Sequence, residues 1–215
     1  MDIPINSQKF NELIALKEKV TKEVEQSLVI PENKRRNNNL FLFFGIPGSG
    51  KSTLAKVIAE VIPCVYLSSD MIALNHNLDQ TRNYYRTFEI MNDLANKYLH
   101  AGYNVIVDSN SDRYSIRKEL YEMAFRHNAK PFCFWVKTDI STVKRRQNIR
   151  KIYKSTLRSK FLFYVNSNEI EKYHKDLETP REDENIFTID GTKDLLNQLY
   201  PIEEIKSWDC KYFCV

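Results

Sequence analysis

Residues 45–52, Gly45-Ile46-Pro47-Gly48-Ser49-Gly50-Lys51-Ser52, satisfy the spacing G-x-x-x-x-G-K-S/T without a mismatch, and Thr53 follows them. Glycines at these places let successive backbone N–H groups turn inward around a phosphate, and a helix starting near Lys51 adds the positive end of its dipole. Lys51 then reaches the β- and γ-phosphates, and the Ser52 hydroxyl ligates magnesium. The chain has only 5 glycines in 215 residues, and Gly45, Gly48 and Gly50 are three of them. Glycine is concentrated where a backbone must adopt a shape other residues resist. Gly45, Pro47, Gly48, Ser49, Gly50, Lys51, Ser52 and Thr53 are therefore the expected cradle for a purine nucleoside triphosphate, ATP first, with magnesium.

A phosphate cradle alone serves a switch, a motor or a kinase. Leu67-Ser68-Ser69-Asp70 sets a carboxylate at the end of a short apolar run, where it can orient an attacking hydroxyl and take its proton. Asp70 reads equally well as the cap of a helix beginning at Met71. Val105-Ile106-Val107-Asp108 repeats the pattern, the arrangement that holds magnesium, and Ser109 and Asn110 extend a polar edge; a plain turn is the alternative. Arg146 and Arg150 are four apart and so share a helix face with Lys154. Folded over a triphosphate they would neutralise charge, whereas left outside they are a solvated basic face.

The elements that must carry these residues alternate. Residues 40–44, 64–67, 104–107, 132–136 and 186–189 are apolar runs of strand length, and helical patterns fill 51–61, 82–100 and 115–127. Such alternation predicts parallel pairing with helices on both faces of a sheet. Residues 7–28 read as an amphipathic helix docked on the core, joined by a polar connector at 34–39, and a last helix is expected over 193–205. Between the fourth and fifth strands about fifty residues have helical character but a weak apolar stripe.

Composition bounds the classes. Apolar residues make up 42%, enough for a core and too many for a disordered chain. Nine basic residues and one acid fall within 137–160, and seven acids with three bases within 169–184, so the net charge of +4 is local rather than a general coat for nucleic acid. No run approaches the roughly 18 apolar residues a membrane span needs, and the expected location is the cytoplasm. Cys64, Cys133, Cys210 and Cys214 are spaced as free thiols, and the four histidines show no zinc spacing with them.

Taken together, GIPGSGKST at 45–53, Asp70, VIVDSN at 105–110, the Arg146/Arg150 pair and YHKDLETPREDE at 173–184 resemble the P-loop kinases of the polynucleotide-kinase and zeta-toxin type, over about residues 40–192. The resemblance implies a three-layer α/β P-loop kinase fold. Its sheet would be five-stranded and mainly parallel, in a domain at 37–215 with a helical lid at about 140–180, behind an N-terminal helix and linker at 1–36. It implies that Lys51, Asp70, Arg146 and Arg150 are catalytic, with Asp70 as base. Ser52 and Asp108 would hold the metal, and Asp70, Asp108 and Asn110 the substrate. The 5′-hydroxyl polynucleotide kinases are nearest in pattern; where they carry an arginine three residues after the base, this chain has Ala73, for which Arg82 or Arg86 would substitute.

The expected activity is transfer of the γ-phosphate of ATP to a hydroxyl, that of a nucleic acid 5′ end first. A zeta-toxin-like, nucleoside or sugar kinase is the alternative, and a nucleotide-gated switch binding RNA or a protein is the reading from another class. Phe187-Thr188-Ile189-Asp190-Gly191-Thr192 resembles the phosphatase motif of bifunctional members, but Thr188 stands where the nucleophile belongs, so it reads as a last strand and a turn.

Overall fold

The computed structural model describes residues 7–35, 37–75, 84–157 and 164–202. Five strands, β1 (Asn39–Phe44), β2 (Val65–Ser68), β3 (Val105–Asp108), β4 (Lys130–Lys137) and β5 (Ile186–Asp190), form one sheet in the order β2-β3-β1-β4-β5. Every pair is parallel, with Leu40 opposite Val105, Ser68 opposite Asp108, Phe44 opposite Trp135 and Lys137 opposite Asp190. The five expected strands are all present, and parallel pairing extends to the whole sheet.

All six residues of β1 are buried, as a central strand covered on both faces requires. Its side chains alternate between two cores. Leu40, Leu42 and Phe44 join Val20 and Val24 of α1 (Ser7–Ser27), Ile72 and Ala73 of α3 (Ser69–Asn75), Met91 and Leu94 of α4 (Tyr84–His100) and Leu120 of α5 (Tyr114–Arg126). Phe41 and Phe43 join Leu54 and Ile58 of α2 (Lys51–Val61) on the opposite face. Each such Leu or Phe contributes about 1.5–3 kcal/mol on burial. A third cluster, Ile46 with Val143 of α6 (Ile140–Leu157) and Ile170 of α7 (Ser167–Asp176), fastens these two helices to the loop after β1. The N-terminal helix is held to α4 by Lys17 with Asp93 and by Glu25 with Lys97.

Neighbouring β1 and β3 send their next helices, α2 and α5, to opposite faces. A crevice opens at their carboxyl ends, which is where open α/β sheets bind ligands.

Two elements differ from expectation. The final helix, α8 (Leu195–Leu199), is shorter than the 193–205 pattern in the described residues: Asp194 caps its start by accepting from the Asn197 N–H at 2.8 Å, and Pro201 lacks the N–H needed to continue it. Helix α3 begins at Ser69, before the anticipated Met71, so Asp70 lies inside its first turn. Among the described residues no helix is long and apolar enough to cross a membrane.

Candidate active site

The loop between β1 and α2 starts at Gly45, whose φ of 140° lies in the left-handed range and whose Cβ, were there one, would sit 2.5 Å from the Val136 carbonyl oxygen. Only glycine passes there. Gly50, also left-handed with φ of 118°, delivers the chain into α2. Pro47 is half-buried at the loop tip, Ser49 is fully buried, and Ser52 and Thr53 are exposed on the first turn of α2.

Lys51 curls back over this loop. Its Nζ donates to the Gly45 carbonyl at 2.7 Å and to that of Ile46 at 3.2 Å. Burial lowers its pKa to about 8, with the nearby Arg150 pushing the same way, while Asp108, Asp112 and Asp70 pull it up. Ser52 Oγ donates to Asp108 Oδ1 at 3.0 Å, and the Tyr66 hydroxyl donates to Asp108 Oδ2 at 2.5 Å. Burial, then Asp108, raises the Tyr66 phenol far above its ordinary range, so Tyr66 acts as a fixed donor. The structure thus brings together Ser52 and Asp108, the two residues expected to hold the metal, whose hard oxygens could coordinate one.

Asp70 stands exposed one strand away, in electrostatic reach of Lys51. The Met71 N–H goes to Ser68 Oγ, at 3.4 Å. Ala73, one turn on, is 2% exposed and packed in the core. Arg86 lies in α4, and Arg82 falls outside the described residues.

Asn110 donates to Asp112 Oδ2 at 2.9 Å. Asp112 is a residue the sequence reading missed, and its signal was the acid four positions after Asp108. Its backbone carbonyl is pinned by Arg117 Nη1 at 3.1 Å and the Glu178 N–H at 3.0 Å, and burial raises its carboxyl pKa. Arg117 is itself fully buried and paired with Glu184.

The two arginines of α6 part company. Arg146 is spent on backbone: Nη1 donates to the carbonyls of Gly48 at 3.3 Å and Ser49 at 3.1 Å, and Nη2 to that of Gly191 at 2.7 Å. Arg150, half-buried one turn further, is the arginine whose field reaches Lys51. Gly191, just past β5, completes a brace: its N–H donates to the Lys137 carbonyl at 2.7 Å, and Thr138 Oγ1 donates to the Ser49 carbonyl at 2.8 Å. A Cβ on Gly191 would collide with the Ser49 carbonyl oxygen. Beside this brace a cavity of about 550 Å³ is lined by Ile46, Trp135, Lys137, Thr138, His174 and Thr192 among others.

The family model described as an AAA domain matches residues 40–180. The chain belongs to the AAA domain family. The AAA domain match runs from β1 past α7, leaving α1 and β5 outside it. No curated protein matches the chain by sequence. Among solved structures this AAA domain protein is similar to one from the PezAT toxin–antitoxin system of Streptococcus pneumoniae (14% identity, TM-score 0.60, covering 84% of this chain and 78% of that one). It is similar to the APS kinase of Mycobacterium tuberculosis in complex with AMPPNP and APS (15%, TM-score 0.54, 79% and 97%). It is also similar to a gluconokinase from Sinorhizobium meliloti 1021 (17%, TM-score 0.51, 78% and 90%). At such identities the likeness establishes the fold, an α/β P-loop kinase fold.

Proposed function

We propose that this protein transfers the γ-phosphate of ATP to a hydroxyl group. The observation that carries the reading is the exposed Asp70 carboxylate at the end of β2, within the field of Lys51 and beside the buried Asp108. A switch that only hydrolyses nucleotide has no need of an acid there.

The residues suit the groups this chemistry requires. Left-handed glycines turn the loop's N–H groups inward, and the buried Ser49 Oγ has no hydrogen-bond partner within the chain, as befits a phosphate cradle. Magnesium would be held by Ser52 and Asp108 and supplies charge neutralisation at the phosphates. In the transfer, the acceptor oxygen bonds to the γ-phosphorus, its proton passes to Asp70, and the β–γ P–O bond breaks to release ADP. Lys51 and Arg150 offset the charge that builds on the phosphoryl oxygens, and Arg146 keeps the loop carbonyls turned away from it.

For the acceptor, the first reading is a polynucleotide 5′-hydroxyl, supported by the Asp108-Ser109-Asn110 pattern and the basic lid. The second is a nucleoside or sugar, and Ala73 favours it, because position 73, one turn after Asp70, holds no cation for a neighbouring phosphate. Incubation with γ-labelled ATP and a panel of 5′-hydroxyl oligonucleotides, nucleosides and sugars tests both. Label recovered in one class identifies the acceptor; nucleotide hydrolysis with no labelled acceptor across the panel would sink the phosphotransfer reading.

A further inference from the structure

Gln147 lies on α6 next to Arg146 and is 2% exposed. Its amide orientation is fixed by a donor: the Val165 N–H reaches Oε1 at 3.1 Å, so the oxygen faces Val165 and the amino group faces the other way. That amino group rests on the phosphate loop. Nε2 is 2.7 Å from the position a Cβ on Gly48 would take, and Val143 Cγ1 is 3.4 Å from the same point. Nε2 has no hydrogen-bond partner within the chain.

A buried amide donor left without an acceptor is strongly unfavourable, and native folds keep few of them. Here the orphan sits where the surroundings are built to collect an anion. Ser49 Oγ in the same loop, and Ser109 Oγ and Ser111 Oγ at the end of β3, are likewise buried without partners. The carbonyls of Gly48 and Ser49, which an amide would otherwise use, are engaged by Arg146. Nε2 bonds to neither of them, and is left to donate to an oxygen brought by a ligand. A β-phosphate inside the loop is already ringed by backbone N–H groups, so a side-chain donor arriving from the lid serves the phosphoryl group that extends beyond the ring.

We propose that Gln147 binds the γ-phosphate of the nucleotide and, through the Val165 N–H, ties the residue just ahead of α7 to it. The proposal rests on the nucleotide reading above and adds that a triphosphate, unlike a diphosphate, strengthens the link between α6 and Val165. Gln147 is then the residue that distinguishes ATP from ADP before any acceptor is present.

The test needs no acceptor. Affinities for ADP and for AMPPNP are measured calorimetrically with magnesium, for the wild type, Gln147→Leu and Gln147→Glu. Melting temperatures of the nucleotide-free proteins report folding, and Gln147→Met replaces the leucine variant if that one melts early. We expect AMPPNP binding to weaken about tenfold to a hundredfold in each variant, with ADP binding changed by no more than about twofold. Hydrogen exchange at the Val165 amide should be slowed by AMPPNP more than by ADP in the wild type and equally by both in the variants. If both nucleotides weaken together, or neither does, Gln147 merely packs the loop and the proposal fails while the nucleotide site stands. If the wild type binds neither nucleotide, both readings fall.

Discussion

Arg117 grips Glu184 through two parallel bonds, Nε to Oε1 at 2.7 Å and Nη2 to Oε2 at 2.9 Å, with 0% and 2% of the two side chains exposed. The guanidinium also lies 4.5 Å from the Phe44 ring centroid and donates to the carbonyls of Ser111 and Asp112 at 3.1 Å each. One buried cation therefore joins the turn after β3 to the strap that leads into β5. Such a pair adds little net stability over an apolar substitute, yet breaking it strands a charge.

Glu184→Gln is accordingly expected to lower stability by about 3–5 kcal/mol. Burial acts to raise the Glu184 pKa, but the bonds from Arg117 and the Arg181 N–H outweigh it and hold the carboxyl below its ordinary value of 4.5. A carboxyl with a lowered folded pKa contributes stability that is complete above pH 4.5 and lost as pH falls through the folded value. Denaturant titrations between neutral pH and acid should show this loss in the wild type; an equal acid slope in Glu184→Gln would refute it.

Lys51 gives a second pH signature. Its pKa in the free protein is about 8, and a bound polyphosphate would raise it. Nucleotide binding should take up a proton above that pH and none well below it, and affinity should fall as pH rises through 8. Calorimetry at pH near 8.5 and 6.5, in buffers of different ionisation enthalpy, measures the uptake. Lys51→Ala should weaken ATP by about tenfold to a hundredfold or more.

Asp70→Asn should reduce acceptor-dependent ADP release by about 10²–10⁴-fold while leaving ATP affinity within about twofold. The Met71 N–H goes to Ser68 Oγ at 3.4 Å, so that bond survives the substitution, and the melting temperature is measured beside the activity. A drop in stability equal to that of a lost cap would reassign Asp70 to a structural part.

The two arginines should separate by assay. Arg146→Ala removes three bonds to backbone and is expected to lower both melting temperature and nucleotide affinity. Arg150→Ala should spare stability and slow turnover. Identical profiles for the two would show that the difference in their surroundings has no consequence.

What the sequence made legible was local. The loop GIPGSGKST, the strand ends at Asp70 and Asp108 and the five apolar runs declare themselves within a few residues. The Arg146/Arg150 spacing specified a shared face of α6 but not that one guanidinium would turn to carbonyls donated by the loop and by Gly191. Asp112 and Arg117 were missed, and Glu184 was read only as the end of YHKDLETPREDE, because their meaning lies in long-range contacts, such as Arg117 with Glu184 across 67 residues of chain, which no periodicity encodes. Ala73 was seen as a missing arginine; its burial adds that the backbone there points inward. Arg82 lies outside the described residues, so the second half of that expectation stays with the labelling experiment.

Gly191 backs directly onto Ser49, although the cradle itself is written in the first quarter of the chain and Gly191 in the last. On the ribosome, where synthesis runs from the amino end, the loop emerges long before its rear support. A nascent chain halted before residue 191 would own every glycine of the motif and still lack the wall that stiffens it. Stiffening of the loop is thus tied to the emergence of β5 and Gly191 rather than to the appearance of its glycines.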